Sequence, residues 1–457
     1  MKGWTAVAHW CLCGAAIIFG LRLNGAYAAQ TVTLNDAIGI ALERNVALLQ
    51  ALTAAELSDV DVSEARLRFA PNLSINTSGS NTFGRYLSSV TGSYVDQTTK
   101  ALTANASSGV NLFAGFHDVA ALRQAKLNRL ASQLDLGRAQ ETAVFTVISN
   151  FLTLILQQDQ LRVQRENLAA EAKLEEQIRD YVASGVRASA DLYQQQANVA
   201  SARLGVIQAQ NAAETSKLDL LRTLQLDPLE SYEFQAPTTD SLYADDSGDL
   251  QDLVARALDR REDLHAEEAR VGALEQSVRV AGSTYWPTVS VGAGYGSSYT
   301  SALSSDFRDQ LDTYRSGSVS VNVTVPLFDR GTTRSAVRRA RLQVQNERIV
   351  LDSERHEVEL QVKTVYLDYH AAREELAAAE SEQHTAQLAV EAAQERFKAG
   401  TAILVEVSQE RSRYEVAESA LVTARYNLAL QSTLMKYYLG QIHGAENVPP
   451  PKAPAKG

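Results

Sequence analysis

Two hydrophobic periodicities take turns along this chain. From Leu34 to Arg68 the apolar residues fall at helical spacing, with Thr33 as a plausible N-cap and Pro71 as the stop. The period then drops to two. Leu73, Ile75 and Thr77 alternate with Ser74, Asn76 and Ser78, and Leu102, Ala104 and Ala106 alternate with Thr103, Asn105 and Ser107. Alternation of this kind gives a strand one apolar face and one small or polar face. A long helical stretch follows, from about His117 to Val182, and Gly185 is suited to cap it in a left-handed conformation. Helical pattern resumes near Asp191 and runs to about Leu226, so the chain makes a tight helix–turn–helix.

The whole series then recurs. Phe69-Ala70-Pro71-Asn72-Leu73-Ser74-Ile75 returns as Tyr285-Trp286-Pro287-Thr288-Val289-Ser290-Val291, at an offset of 216. Val110-Asn111-Leu112-Phe113 returns as Val325-Pro326-Leu327-Phe328, and Ala183-Ser184-Gly185-Val186 as Lys398-Ala399-Gly400-Thr401, both at 215. One register held over so long a stretch marks an internal duplication, with a period far longer than that of solenoid units. The second copy is the cleaner. Val289, Val291, Ala293 and Tyr295 alternate with serine and glycine, as do Val319, Val321, Val323, Val325 and Leu327 with Ser320, Asn322, Thr324 and Pro326. Each such segment is about ten residues, the length of a tilted transmembrane strand, although a soluble hairpin with one wet face reads the same. Polar loops join the strands, from Gly84 to Lys100 and from Ser297 to Arg315.

The second long helix carries a heptad seam. Val358, Val362, Val365, Tyr369, Ala372, Leu376 and Ala379, then Ala386, Val390, Ala393 and Phe397, step by fours and threes around a polar break at Gln383; Val337, Val344 and Leu351 extend it backwards. No proline falls between Asp329 and Gly400. A helix of about 65 residues is roughly 100 Å long and needs lateral partners throughout. The equivalent seam in the first copy has more Gln and Asn.

These elements divide the chain. Residues 1–28 read as a signal peptide: Lys2, the apolar run Trp10 to Leu21, and Ala26-Tyr27-Ala28. Residues 29–225 are the first repeat, with a β-hairpin at about 71–113 and a helical tip at 183–191. Residues 226–249 are a linker, and 250–440 the second repeat, with its hairpin at about 287–327 and tip at 398–406. Residues 441–457 read as a disordered, proline-rich tail.

Composition narrows the function. Both cysteines, Cys11 and Cys13, lie in the signal, so the mature chain has neither disulfide nor cysteine metal site. The net charge of −11 speaks against nucleic acid as a partner. His356, His370 and His384 recur every fourteen residues, about 21 Å apart on one helix and too far to share a metal. Gly-x-Ser-x-Gly, His-Glu-x-x-His and phosphate-loop motifs are absent, so no enzyme activity and no cofactor is expected. Four strands cannot close a barrel, and an open sheet in lipid leaves edge groups unsatisfied. Three chains would supply twelve strands under cyclic symmetry.

The duplication, the Trp286-Pro287 strand entry, the Val325-Pro326-Leu327-Phe328-Asp329-Arg330-Gly331 strand-to-helix turn and the Gly400-Thr401…Glu406-Val407 hairpin resemble the TolC family of outer-membrane efflux and secretion ducts. The resemblance spans about Leu34 to Leu439. It implies a mixed fold, all-α apart from a transmembrane β-barrel: four strands per chain completing a trimeric twelve-stranded barrel in the outer membrane, with coiled-coil-like helices as a periplasmic tunnel. It also implies partners: a periplasmic adaptor and an inner-membrane transporter of the RND or ABC class, as in tripartite efflux or type I secretion.

By the same resemblance the tip is the gate. Asp191 and Glu406 match the family's acidic ring positions, with Gln409 where a second acid can stand. Three Glu406 carboxylates around one axis would repel each other and attract cations; alternatively, both acids serve the positive end of the returning helix. The family's locking arginine, two residues after the second hairpin glycine, is here Ala402, while Arg187 holds that place in the first repeat. Either the lock has changed repeats or Arg187 is a solvated tip residue; the second is the plainer expectation. Gly185, Gly400 and Thr401 are the expected adaptor-docking residues. Two rivals stand beside the duct: a trimeric coiled-coil stalk or adhesin without a lumen, and a soluble periplasmic helical binding protein.

Overall fold

The computed structural model describes residues 30–87, 92–96, 98–236 and 248–442. The expected signal peptide, the middle of the linker and the tail beyond Ile442 lie outside these residues. A short strand β1 (Gln30–Val32) leads into α1 (Leu34–Arg44) and α2 (Val46–Leu67). Thr33 and Asp36 form a reciprocal capping box at the start of α1. The expected continuous helix from Leu34 to Arg68 is in fact broken. Asn45 adopts an extended backbone and its side chain accepts the Leu48 amide at 3.1 Å, ending one helix and capping the next.

The strands follow: β2 (Asn72–Thr82), a small hairpin of β3 (Arg85–Leu87) and β4 (Tyr94–Asp96), and β5 (Thr99–Ala114). Then come α3 (His117–Ala183) and α4 (Ser189–Leu224). The expected linker contains a further strand, β6 (Tyr232–Phe234), paired in parallel with β1. The order then repeats as α5 (Leu250–Arg260), α6 (Glu262–Gly282), β7 (Thr288–Thr300), α7 (Phe307–Thr313), β8 (Ser316–Thr324), α8 (Thr332–Lys398) and α9 (Leu404–Tyr438). Both long helices have 67 residues. The short hairpin β3–β4 and the helix α7 fall within loops that carry no strong periodic signal. Strand β8 stops at Thr324, short of the expected Leu327, because Pro326 cannot donate to a ladder.

Helices α3 and α8 run the full length, and shorter helices stack end to end beside them. Along α3 lie α2 and then α4; along both α3 and α8 lie α6 and then α9. Two cores fill the junctions. In the first, α1, β1, β6 and the end of α4 close over Val144, Val147, Phe151 and Leu154 of α3. Helix α3 is also apolar enough over part of its length, by length and composition, to cross a membrane; Val144, Val147, Phe151 and Leu154 are core. In the second, Leu253, Leu264, Met435 and Leu439 close over Val358, Val362 and Val365, the centre of the heptad seam.

The four-stranded sheet has the order β2–β5–β7–β8, antiparallel throughout. Its register sorts the two faces across all four strands. Leu73, Ile75, Ala104, Ala106, Val291, Ala293, Val319 and Val321 share one face; Ser74, Asn76, Asn105, Ser107, Gly292, Gly294, Ser318 and Ser320 share the other. The apolar face is bare: Leu73 is 77 % and Val319 78 % exposed. Aromatic residues flank this band. Phe113, Phe116 and Trp286 form edge-to-face pairs at the helical end, and Tyr295 and Tyr299 stand toward the loops. An apolar band between aromatic girdles is the signature of a strand wall in lipid.

The turn from sheet to long helix uses two successive left-handed residues in each copy, Gly115-Phe116 and Arg330-Gly331. Glycine has changed places between them. At Gly115 a Cβ would lie 2.3 Å from the Ser283 carbonyl, so this glycine is fixed by close approach as well as by φ. In the second copy Asp329 closes the turn, accepting the Gly331 and Thr333 amides at 2.9 and 2.7 Å. Hydrogen bonds from Thr333, Thr332 and Gly331 hold its carboxyl well below the usual carboxylate range.

Phe151 is fully buried at the first junction, edge-on to Phe234 of β6. Phe151→Ala is expected to destabilise the helical body by about 3–5 kcal/mol, read as a shift in the denaturant midpoint followed by helical circular dichroism.

Candidate functional site at the helical tips

The long helices end in matched left-handed caps. Gly185 and Gly400 both have φ of +75°, and both face open space. Val186 donates its amide to the Tyr181 carbonyl at 2.8 Å, and Thr401 donates to the Arg396 carbonyl at 2.9 Å. These 6→1 bonds satisfy carbonyls that a helix end leaves open. Thr401 is exposed and adds a hydroxyl bond to the same Arg396 carbonyl.

Asp191 and Glu406 occupy the same place in their returning helices, three residues beyond Ala188 and Ile403. Neither Ala188 nor Ile403 offers a capping side chain. Both acids therefore supply the negative charge that a helix start favours. They differ in surroundings. Glu406 is ion-paired with Arg396 of its own hairpin, which neutralises the charge expected of a bare ring. The Asp191 carboxylate has no ion-pair or hydrogen-bond partner among the described residues. Gln409 is exposed, one turn beyond Glu406.

Arg187 is not the solvated residue of the plainer expectation. It is half-buried, its guanidinium lies 4.4 Å from the centre of the Phe397 ring, and it donates to the Ala402 carbonyl at 3.4 Å. It thus joins the tip of the first repeat to that of the second. Ala402, at the family's arginine position, is buried beside Phe397, Leu404 and Val407, and Leu174 and Ile178 of the other hairpin complete the cluster.

Above this cluster a polar seam joins α3 and α4 to α9. Arg411 donates through Nε to Glu171 at 2.6 Å and through Nη2 to Asn167 at 3.4 Å. Gln195, fully buried, donates to the Glu171 carbonyl at 3.0 Å and to its carboxylate. Asn167 and Gln164 donate to Glu415 at 2.6 and 2.9 Å, and Asn198 donates to Ser408 at 3.2 Å. Next along, Gln160 and Ser419 are joined at 2.6 Å. A groove of about 800 Å³ runs beside this ladder. In the sequence the first seam shows only as richer in Gln and Asn, and nothing there sets Glu171, Gln195 or Arg411 apart. The signal was an acid and an amide at core positions of long helices. The three spaced histidines, His356, His370 and His384, are exposed on α8.

Glu171 and Arg411 are nearly buried, with 9 % and 13 % of their side chains exposed. Arg411→Ala strands the carboxylate and is expected to cost about 3–5 kcal/mol. Pairing it with Glu171→Gln recovers most of that loss, and a double-mutant denaturation cycle measures the coupling.

The family model described as outer membrane efflux protein matches residues 37–224 and 253–441. Among curated relatives, the pyoverdine export outer membrane protein OpmQ of Pseudomonas aeruginosa is 26 % identical over 315 residues. That alignment takes in 67 % of this chain but 63 % of OpmQ, so the chain spans less than two thirds of this relative. The outer membrane efflux protein BepC of Brucella suis is 22 % identical over 426 residues, 92 % of this chain and 87 % of BepC. Among solved structures, the outer membrane protein VceC of Vibrio cholerae superposes with a TM-score of 0.74 at 17 % identity, covering 89 % of this chain and 96 % of VceC. With both halves of the chain matched, this protein belongs to the outer membrane efflux protein family.

Proposed function

We propose that three copies of this chain form an export duct through the outer membrane, passive in itself and continued by a helical tunnel in the periplasm. The observation that carries the reading is the sheet. It is apolar on one face and Ser/Asn/Gly-rich on the other, and its edge strands β2 and β8 are unpaired. In lipid such edges must be closed, and joining β8 of one copy to β2 of the next makes twelve strands from three copies. The apolar face then meets lipid and the polar face lines a wet bore. A solid stalk or adhesin would have no use for the polar inner face.

The helices support the same assembly. The tunnel wall in one chain runs α4, α3, α9, α8. Its two flanks carry exposed apolar stripes: Tyr193, Leu204, Ile207 and Leu218 on α4, and Leu342, Ile349, Leu360 and Leu367 on α8. Both stripes keep helical spacing, so each suits a neighbouring helix. Residues 1–28 act as the secretory signal in this reading. The two glycine turns, with Thr401, are the docking surface for a periplasmic adaptor. The adaptor links the duct to an inner-membrane transporter, RND or ABC in class, which supplies the energy.

The tip works as the gate. Asp191 contributes the unpaired acid of the ring, Glu406 is held by Arg396, Gln409 lines the next turn, and Arg187 ties the two hairpins together. Reconstituted protein is expected to run as a trimer in detergent and to conduct ions in planar bilayers. A monomer without conductance would end the proposal. Arg187→Ala, which frees Phe397 and the Ala402 carbonyl, is expected to raise closed-state conductance; an unchanged value would show that this contact does not hold the gate.

A further inference from the structure

The loop between β7 and β8 folds back as α7 onto the apolar face of the sheet. Four contacts fix it. Ser297 Oγ donates to the Leu311 carbonyl at 2.7 Å, and the Thr300 amide donates to Gln310 Oε1 at 2.9 Å. Gln310, fully buried, donates in turn to the Ser305 carbonyl at 2.8 Å. The Phe307 ring meets Tyr299 edge-on at 5.0 Å. Ser297 and Tyr299 lie on the same face as Tyr295, Ala104 and Ala106. The helix therefore sits on the side that lipid covers, at the level of the outer aromatic residues.

Between α7 and the sheet is an open cleft of about 610 Å³. Its floor is Ile75, Ala104, Ala106 and Tyr295, continuous with the bare apolar band below. Leu311 forms the roof, and Arg308 and Arg315 stand at the rim with Asp312. Asp312 pairs with Arg315 at 3.0 Å, and both side chains are mostly exposed. Such a pair is weak. Arg308 has no acidic partner among the described residues. The site thus offers an apolar slot and a net positive rim beside the outer aromatic residues.

We propose that this cleft binds an anionic phospholipid-type amphiphile from the surrounding membrane, its acyl chain on the Ile75–Ala106 floor and its phosphate headgroup against Arg308 and Arg315. The site rests on the reading of the sheet as a barrel wall. Ile75 belongs to the edge strand β2, so the lipid would also sit beside the joint between copies.

The test uses full-length trimer, washed free of lipid in non-ionic detergent and titrated with dioleoyl phosphatidylglycerol or dioleoyl phosphatidylcholine under native mass spectrometry. The expected result is preferential binding of phosphatidylglycerol, one molecule per chain. Replacing both arginines, Arg308→Ala with Arg315→Ala, is expected to weaken it about thirtyfold while leaving phosphatidylcholine unchanged. If that variant does not assemble, Arg308→Gln alone serves, with an expected loss of about fivefold. Equal binding of the two lipids, or a preference that survives the arginine replacements, overturns the site. So does displacement of phosphatidylglycerol by free glycerol phosphate, which would mark a phosphate site that needs no acyl chain. Wild-type conductance without lipid preference overturns this site alone, whereas absent conductance overturns the duct beneath it.

Discussion

An unpaired backbone amide or carbonyl in hydrocarbon costs several kcal/mol, and this chain carries two rows of them, one along β2 and one along β8. Much of its architecture follows from that constraint. The strands alternate because one face must suit lipid while the other suits water. The sheet is left with two edges because, among the described residues, a single chain contributes four strands to it. The long helices continue directly from the sheet through the left-handed turns at Gly115-Phe116 and Arg330-Gly331. Whatever closes the sheet therefore sets the spacing of the helices below it.

Within one chain, two kinds of contact hold the helices, and they divide the labour. Apolar clusters close the junctions where short helices meet end to end, around Phe151 and around Val362. Between the two repeats, above the apolar cluster at the tip, the contact turns polar, through Glu171, Gln195, Arg411, Asn167 and Glu415. An apolar seam that slips along a helix loses packing; a buried ion pair with fixed hydrogen bonds that slips strands a charge as well. The lower half is thus joined by contacts that favour a defined register, finished at the end by Arg187 on Phe397.

Much of this was legible in the sequence. Both 67-residue helices, the glycine caps and the four principal strands lay in the periodicities, since each repeats one face over many turns or residues. The missed elements were short or aperiodic. The break at Asn45 is a single side chain capping a helix that its neighbours would have continued. Strand β6 has three residues, and α7 is held by Gln310 and Ser297 rather than by a pattern. At the tip, the glycines stood out from the match between the two copies, and the acids only from the resemblance to the family. The solvated reading of Arg187 failed because its partners lie in the other repeat.

By itself, then, the sequence determined which face the principal strands and the long helices present and where the long hairpins turn. These are local properties: spacing fixes a face, and glycine fixes a turn. Only the tertiary structure decided which faces meet across the repeats. It laid Arg187 against Phe397 and Arg411 beside Glu171 and, within the second repeat, placed Arg396 on Glu406 and folded α7 onto the apolar face of the sheet. Those pairings join residues up to 240 apart in the chain, and no periodicity records a contact that exists only once two helices have been laid side by side.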